Sequence, residues 1–167
     1  VLLDKEYLQQ AYELCREYDT PTLIDEIQSC AWYKELFLFR KYDLQPDFVI
    51  IGKGFSGGEY PASKVITTAE MDTLNQFGAL VTNGQEELAS LAYLITMKFV
   101  QDNGDIIEAN QAKFLDGLKA LAVKYNGVVK EAAGYGFLSA IVFDELEVAA
   151  AFAKKINKRA IDVSAQT

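Results

Sequence analysis

Apolar positions near the start of the chain recur with helical spacing, at Leu8, Ala11, Leu14, Cys15 and Tyr18. Asp4 stands where an N-cap belongs, and Asp19 and Pro21 close the run. The pattern then shifts to short continuous apolar stretches. "TLIDEIQ" (22–28) predicts one strand and "FVII" (48–51) a second, joined by the aromatic-rich connection "WYKELFLFRKYDLQPD" (32–47). Runs of this kind suit neighbouring parallel strands buried on both faces. "ASKVITT" (62–68) alternates as a further strand, and "GALVTNG" (78–84) reads as a short strand or turn leading into a helix. Residues 86–101 are apolar nearly all round, from Leu88 and Leu91 to Phe99 and Val100, with Lys98 as the interruption. They predict a buried helix too short to span a membrane.

"DNG" (102–104) reads as a boundary, beyond which the pattern becomes an α+β module. A helix is expected over 106–125, closed by Asn126-Gly127, then two strands, "GVVKEA" and "GFLSAIVF", separated by "AAGYG". Asp144 with Glu147 suggests a capping box for a last helix ending in Lys154, Lys155, Lys158 and Arg159. The expected division is therefore residues 1–103 and 104–167, an α/β part followed by a small α+β part.

Composition narrows the chemistry. The chain has 167 residues, half of them hydrophobic, enough for one substantial core or two small ones. A net charge of −8 without a Lys/Arg stripe argues against nucleic acid as a partner. The two cysteines, Cys15 and Cys30, show no ligand spacing and read as reduced thiols of a cytoplasmic protein. There is no histidine, which removes the commonest general base and the commonest zinc ligand. No metal site is expected, and proton chemistry falls to a carboxylate, tyrosine, cysteine or lysine. No signal-peptide pattern opens the sequence, which reads as starting within a larger architecture.

"GKGFSG" (52–57) matches the dinucleotide pattern G-x-G-x-x-G literally. That motif works only where a helix opens inside it, and Gly57, Gly58 and Pro61 prevent one here. Another pairing survives. Asp25 stands at the carboxyl end of one expected strand and Lys53 just past the end of the next, the edge at which open α/β sheets bind ligands. An acid and an amine placed there make either a plain ion pair or the two groups that a pyridoxal phosphate site needs. In such a site the lysine holds the cofactor aldehyde as a Schiff base and the aspartate keeps the ring nitrogen protonated. The glycines beside Lys53 would let a cofactor approach the backbone.

"LIDEIQS" followed by "PDFVIIGKGFSGG" resembles the class III aminotransferases of fold type I, a family with a D-E-[VI]-Q strand, a P-D strand ending in G-K, and a glycine-rich stretch. "VTNGQEELA" resembles the family's T-x-G-x-N-P-L-A segment. The resemblance implies part of the large-domain sheet of a pyridoxal-phosphate transferase followed by a small C-terminal α+β domain. It implies Asp25 on the pyridine nitrogen, Gln28 on the ring hydroxyl, Lys53 as the catalytic lysine, and Thr82 reaching the cofactor phosphate of the other subunit of a homodimer. The implied reaction transfers an amino group from an amino donor to a 2-oxo acid. Three segments depart from the pattern: "CAWYKE" (30–35) replaces G-R-T-G, Ala133-Gly134-Tyr135-Gly136 replaces R-G-R-G, and Glu86-Glu87 replaces N-P. Decarboxylase or aminomutase chemistry within the same class stays open, as does a non-catalytic domain in which Asp25 and Lys53 form a structural pair. The resemblance places the chain in the C-terminal part of such an enzyme, so that residues 1–167 alone are expected to be inactive.

Overall fold

The computed structural model describes residues 3–75, 77, 78, 80, 81, 84 and 86–163. Two compact units are present, Val1–Ala109 and Asn110–Thr167.

In the first unit, helix α1 spans Lys5–Glu17, and the Asp4 carboxylate caps it by accepting from the Glu6 and Tyr7 amides at 2.8 and 3.2 Å. Strand β1 (Leu23–Asp25) pairs in parallel with β2 (Phe48–Ile51), Leu23 facing Phe48 and Asp25 facing Ile50. The expected parallel pair is present, but β1 is shorter than the apolar run suggested, since residues 26–31 turn away from it. It is also not buried on both faces, since Leu23 is 57% exposed, and it is an edge strand of a three-stranded sheet ordered β1-β2-β3. The connection contains one helical turn, α2 (Leu38–Lys41), and buries Tyr33, Leu36, Phe37, Tyr42 and Leu44. Strand β3 (Lys64–Thr67) runs antiparallel to β2, with Ile51 opposite Lys64.

Helix α3 spans Glu87–Lys124, 38 residues without a break. One helix thus stands where two were expected, the first ending at 101 and the second starting at 106. Asp102 pairs with Lys98 one turn back at 2.7 Å, and the Asn103 side-chain amide donates to the Phe99 carbonyl at 2.8 Å. Gly104 owes its place to packing: a Cβ there would lie 2.6 Å from Lys34 Cβ and 2.9 Å from its Cα. The glycine that reads as a helix stop is thus a close-approach point inside the helix. Nor is residues 86–101 a fully buried stretch. Ala89, Tyr93 and Val100 are buried, whereas Leu88, Leu91, Leu94, Ile95 and Phe99 are exposed. The core of the unit joins the buried face to Cys30, Leu36, Phe37, Val49, Ile51 and Phe55.

In the second unit, β4 (Glu131–Tyr135) and β5 (Leu138–Val142) form an antiparallel hairpin. Most of "AAGYG" therefore lies within β4, and Gly136-Phe137 makes the turn. Gly134 sits at φ +129°, where a Cβ would come within 2.3 Å of the Leu138 carbonyl oxygen, so only glycine fits. Helix α4 spans Leu146–Asn157 with Glu145 at the N-cap and no side-chain cap. The expected capping box is not formed, because Asp144 pairs with Lys130 at 3.1 Å instead. Phe143 and Phe152 pack with ring centroids 5.2 Å apart. Among the described residues, no helix is long and apolar enough to cross a membrane.

Candidate active site

Parallel pairing brings the carboxyl ends of β1 and β2 to one edge. Asp25 is the last residue of β1, and Lys53 follows β2 after Gly52. The ladder extends one step past β1, since the Glu26 amide donates to the Ile50 carbonyl at 2.9 Å. Asp25 and Lys53 are both exposed at this edge, and Gln28 is exposed in the turn that follows β1. Asp25 Oδ1 accepts from the Ile27 amide at 2.9 Å, an Asx-type contact that orients the carboxylate. No ion pair joins Asp25 to Lys53 among the described residues, which removes the basis for reading them as a structural pair. Thr82, the fourth expected site residue, lies outside the described residues.

Lys53 opens a 3-10 turn, Lys53–Ser56, and has a left-handed backbone at φ +45°. A lysine in that region carries strain of roughly 1–2 kcal/mol, and such strain persists only where the surroundings enforce it. Part of the support comes from below. Phe55, 2% exposed, stacks on Phe37 with ring centroids 5.6 Å apart and meets Tyr93 at 5.3 Å. The two flanking glycines differ in their surroundings. A Cβ on Gly52 would lie 3.0 Å from Ile27 Cγ1 and 3.4 Å from the Ala62 carbonyl oxygen, so Gly52 answers to neighbouring chain. Only Gly54 faces open space, with nothing within 4 Å of an added Cβ.

Two buried polar residues that the sequence reading passed over hold this edge together. Glu26 is 1% exposed. Its Oε1 accepts from the Phe39 amide at 2.6 Å, its Oε2 accepts from the Ser29 hydroxyl, and its carbonyl accepts from the Cys30 amide at 2.9 Å. The charge is thus compensated by donors on the turn carrying Gln28 and on the connection to β2. Ser56, also 1% exposed, donates to the Tyr60 carbonyl at 2.6 Å. The signal for Glu26 was its place in the D-E-[VI]-Q match, and for Ser56 its place in the glycine-rich stretch after Lys53. Cys30 lies in the same core, and burial pushes its thiol up to about 11, against the opposing effect of the Gly52 amide. Among the described residues, no group of three or more Cys, Asp or Glu is placed to hold a metal ion.

A strand-end lysine and a strand-end aspartate thus meet on a parallel pair, with a glycine-rich loop behind the lysine, in a chain that matches a known family. The sequence model of that family, Aminotransferase class-III, matches residues 1–163, and the chain belongs to it. Among relatives, the chain is 32% identical over 145 residues to the ornithine aminotransferase of Saccharomyces cerevisiae, covering 83% of this chain and 34% of that one. Among solved structures, it is similar to the ornithine aminotransferase of Toxoplasma gondii ME49, with a TM-score of 0.87 and 27% identity over 98% of this chain and 40% of that one. The ornithine δ-aminotransferase of Plasmodium falciparum gives a TM-score of 0.86 and 26% identity over 99% of this chain and 44% of that one. The chain therefore spans less than half the length of each.

Proposed function

We propose that this chain is part of a pyridoxal-phosphate-dependent aminotransferase that moves an amino group from an amino donor to a 2-oxo acid, with Lys53 as the residue that holds the cofactor covalently. The observation that carries this reading is the parallel register of β1 and β2, which brings Asp25 and Lys53 to one edge, both exposed and not paired with each other. That donor set fits the cofactor. A primary amine is available for the aldehyde, and a carboxylate oriented by the Ile27 amide is available for the ring nitrogen. Gln28 would contact the ring hydroxyl, and Thr82 the phosphate of the cofactor in the other subunit of a homodimer.

When bound, pyridoxal phosphate supplies an electron sink for the pair left at the substrate α-carbon. Asp25 supports this by holding a proton on the ring nitrogen through its negative charge. Lys53 Nζ would be the group placed to move a proton at the substrate α-carbon, as a positioned amine acting as general base and then general acid. In this reading residues 1–103 belong to the cofactor-binding large domain and 104–167 to the small α+β domain of a cytoplasmic enzyme. The names of the relatives make ornithine the first amino donor to assay.

The test uses the full-length protein, treated with pyridoxal phosphate and reduced with borohydride before peptide mapping. A reduced pyridoxyl group on Lys53, with turnover that needs an added 2-oxo acid, is the expected result. An adduct on another lysine, or none, would sink the assignment.

A further inference from the structure

We infer that Ser56 is a positioning residue for Lys53: its buried hydroxyl ties the inside of the loop between β2 and β3 and so holds Lys53 in its left-handed conformation. The inference rests on the reading of Lys53 given above and deepens it.

The loop leaves β2 at Ile51 and returns at Lys64, and those two residues face each other, so its base is closed. Its first limb is the 3-10 turn, built by the Phe55 amide donating to the Gly52 carbonyl at 3.0 Å and the Gly57 amide donating to the Gly54 carbonyl at 2.9 Å. The turn has two faces. Lys53, Gly54, Gly57 and Gly58 are outside, and Phe55 and Ser56 are buried. From the inside, Ser56 Oγ reaches the Tyr60 carbonyl oxygen at 2.6 Å and lies 3.4 Å from the carbonyl oxygen of Lys53 itself. One hydroxyl proton serves the shorter contact. The hydrogen bond therefore spans from the turn to the returning limb, with the Lys53 carbonyl against the same oxygen.

That bond is not needed to satisfy Tyr60, whose carbonyl already accepts from the Ala62 amide at 2.9 Å. An alanine would fill the buried site without bringing in a hydroxyl that has to be desolvated. What the hydroxyl adds is direction. Phe55 anchors the turn by contact between rings, which leaves rotation about the anchor weakly opposed, whereas a hydrogen bond to a carbonyl fixes one orientation. Lys53 at φ +45° would otherwise relax toward the ordinary regions of backbone space, and its amine would move with it.

The experiment compares wild type, Ser56→Ala and Ser56→Cys in the full-length protein loaded with pyridoxal phosphate. The readouts are the site of borohydride reduction, the pH midpoint of the visible absorption of the bound cofactor, and kcat and KM for the amino donor. In Ser56→Ala the midpoint should move by about half a pH unit or more. Misplacing the amine should lower kcat roughly tenfold, with KM within about twofold. Ser56→Cys, close in volume but a weak donor, should shift the midpoint in the same direction and decides the matter where Ser56→Ala does not fold. Reduction on Lys53 with midpoint and kcat unchanged in a folded variant overturns the inference and leaves the assignment of Lys53 standing. Absence of reduction on Lys53 in the wild type overturns both.

Discussion

Cys30 is 5% exposed beneath the Gly52 turn, whereas Cys15 lies half-buried on α1. Only a thiolate reacts readily, and burial pushes the Cys30 thiol up to about 11. Iodoacetamide at neutral pH is therefore expected to label Cys15 first and Cys30 only after unfolding, which mass spectrometry of partly labelled protein would read; equal rates would contradict the burial argument. The same shift has a sign for stability. Below the ordinary thiol value of 9.0 both states are protonated and Cys30 contributes nothing, but between there and about 11 the unfolded chain loses its proton first, so stability falls as pH rises. Asp47 acts at the other end of the scale. Hydrogen bonds from the Thr22 amide and hydroxyl, at 2.7 and 2.9 Å, hold its carboxyl below the usual range, so its contribution is present at neutral pH and lost on acidification. The shared edge of Asp25 and Lys53 was legible because charges at the ends of apolar runs stand out. Glu26 and Ser56 were not, since the letters do not distinguish a buried carboxylate or hydroxyl from a solvated one.

Helix α3 contains two glycines in opposite circumstances. Gly104 packs against Lys34, where an added Cβ would sit 2.6 Å from another carbon, while Gly117 has nothing within 4 Å. In a helix interior alanine is favoured over glycine by about 0.5–1 kcal/mol, so Gly117→Ala should raise the thermal midpoint. Gly104→Ala gains the same propensity but forces the helix away from the Lys34 backbone, and overpacking of that kind costs about 1–3 kcal/mol. It should lower the midpoint, and two equal shifts in thermal unfolding would refute the packing account. This is also why the helix could not be bounded from sequence. "DNG" carries every local mark of a stop, and what overrides it is a contact with a residue seventy positions earlier (Gly104 with Lys34). The parallel pair, by contrast, was legible from two short apolar runs joined by a long connection, although the burial on both faces that such runs suggest does not hold for β1. The edge position of β1 was not, because an edge depends on neighbours rather than on the strand's own residues.

Across the whole molecule, apolar exposure and site exposure lead to one expectation. Leu88, Leu91, Leu94, Ile95 and Phe99 leave an apolar face of α3 open to solvent, and Asp25, Gln28 and Lys53 present their groups without enclosure. Residues 1–167 expressed alone should self-associate, and should bind pyridoxal phosphate weakly because a ring held at an open edge stays in contact with water. Sedimentation velocity and titration of the cofactor absorption would check both. A monomer with tight stoichiometric binding would show that this edge is sufficient by itself.

The left-handed backbone of Lys53 also sets durability against activity at a single position. Glycine occupies φ +45° at no steric cost, so Lys53→Gly should melt above Lys53→Ala, which keeps the Cβ in the disfavoured region. The gap is on the order of 1 kcal/mol, readable as a few degrees in matched melts. A lineage released from any need for an amine here would be expected to drift to glycine and gain stability. A lysine at φ +45° is thus a cost to the fold, and under the role proposed for Lys53 that cost is what keeps an amine at this edge.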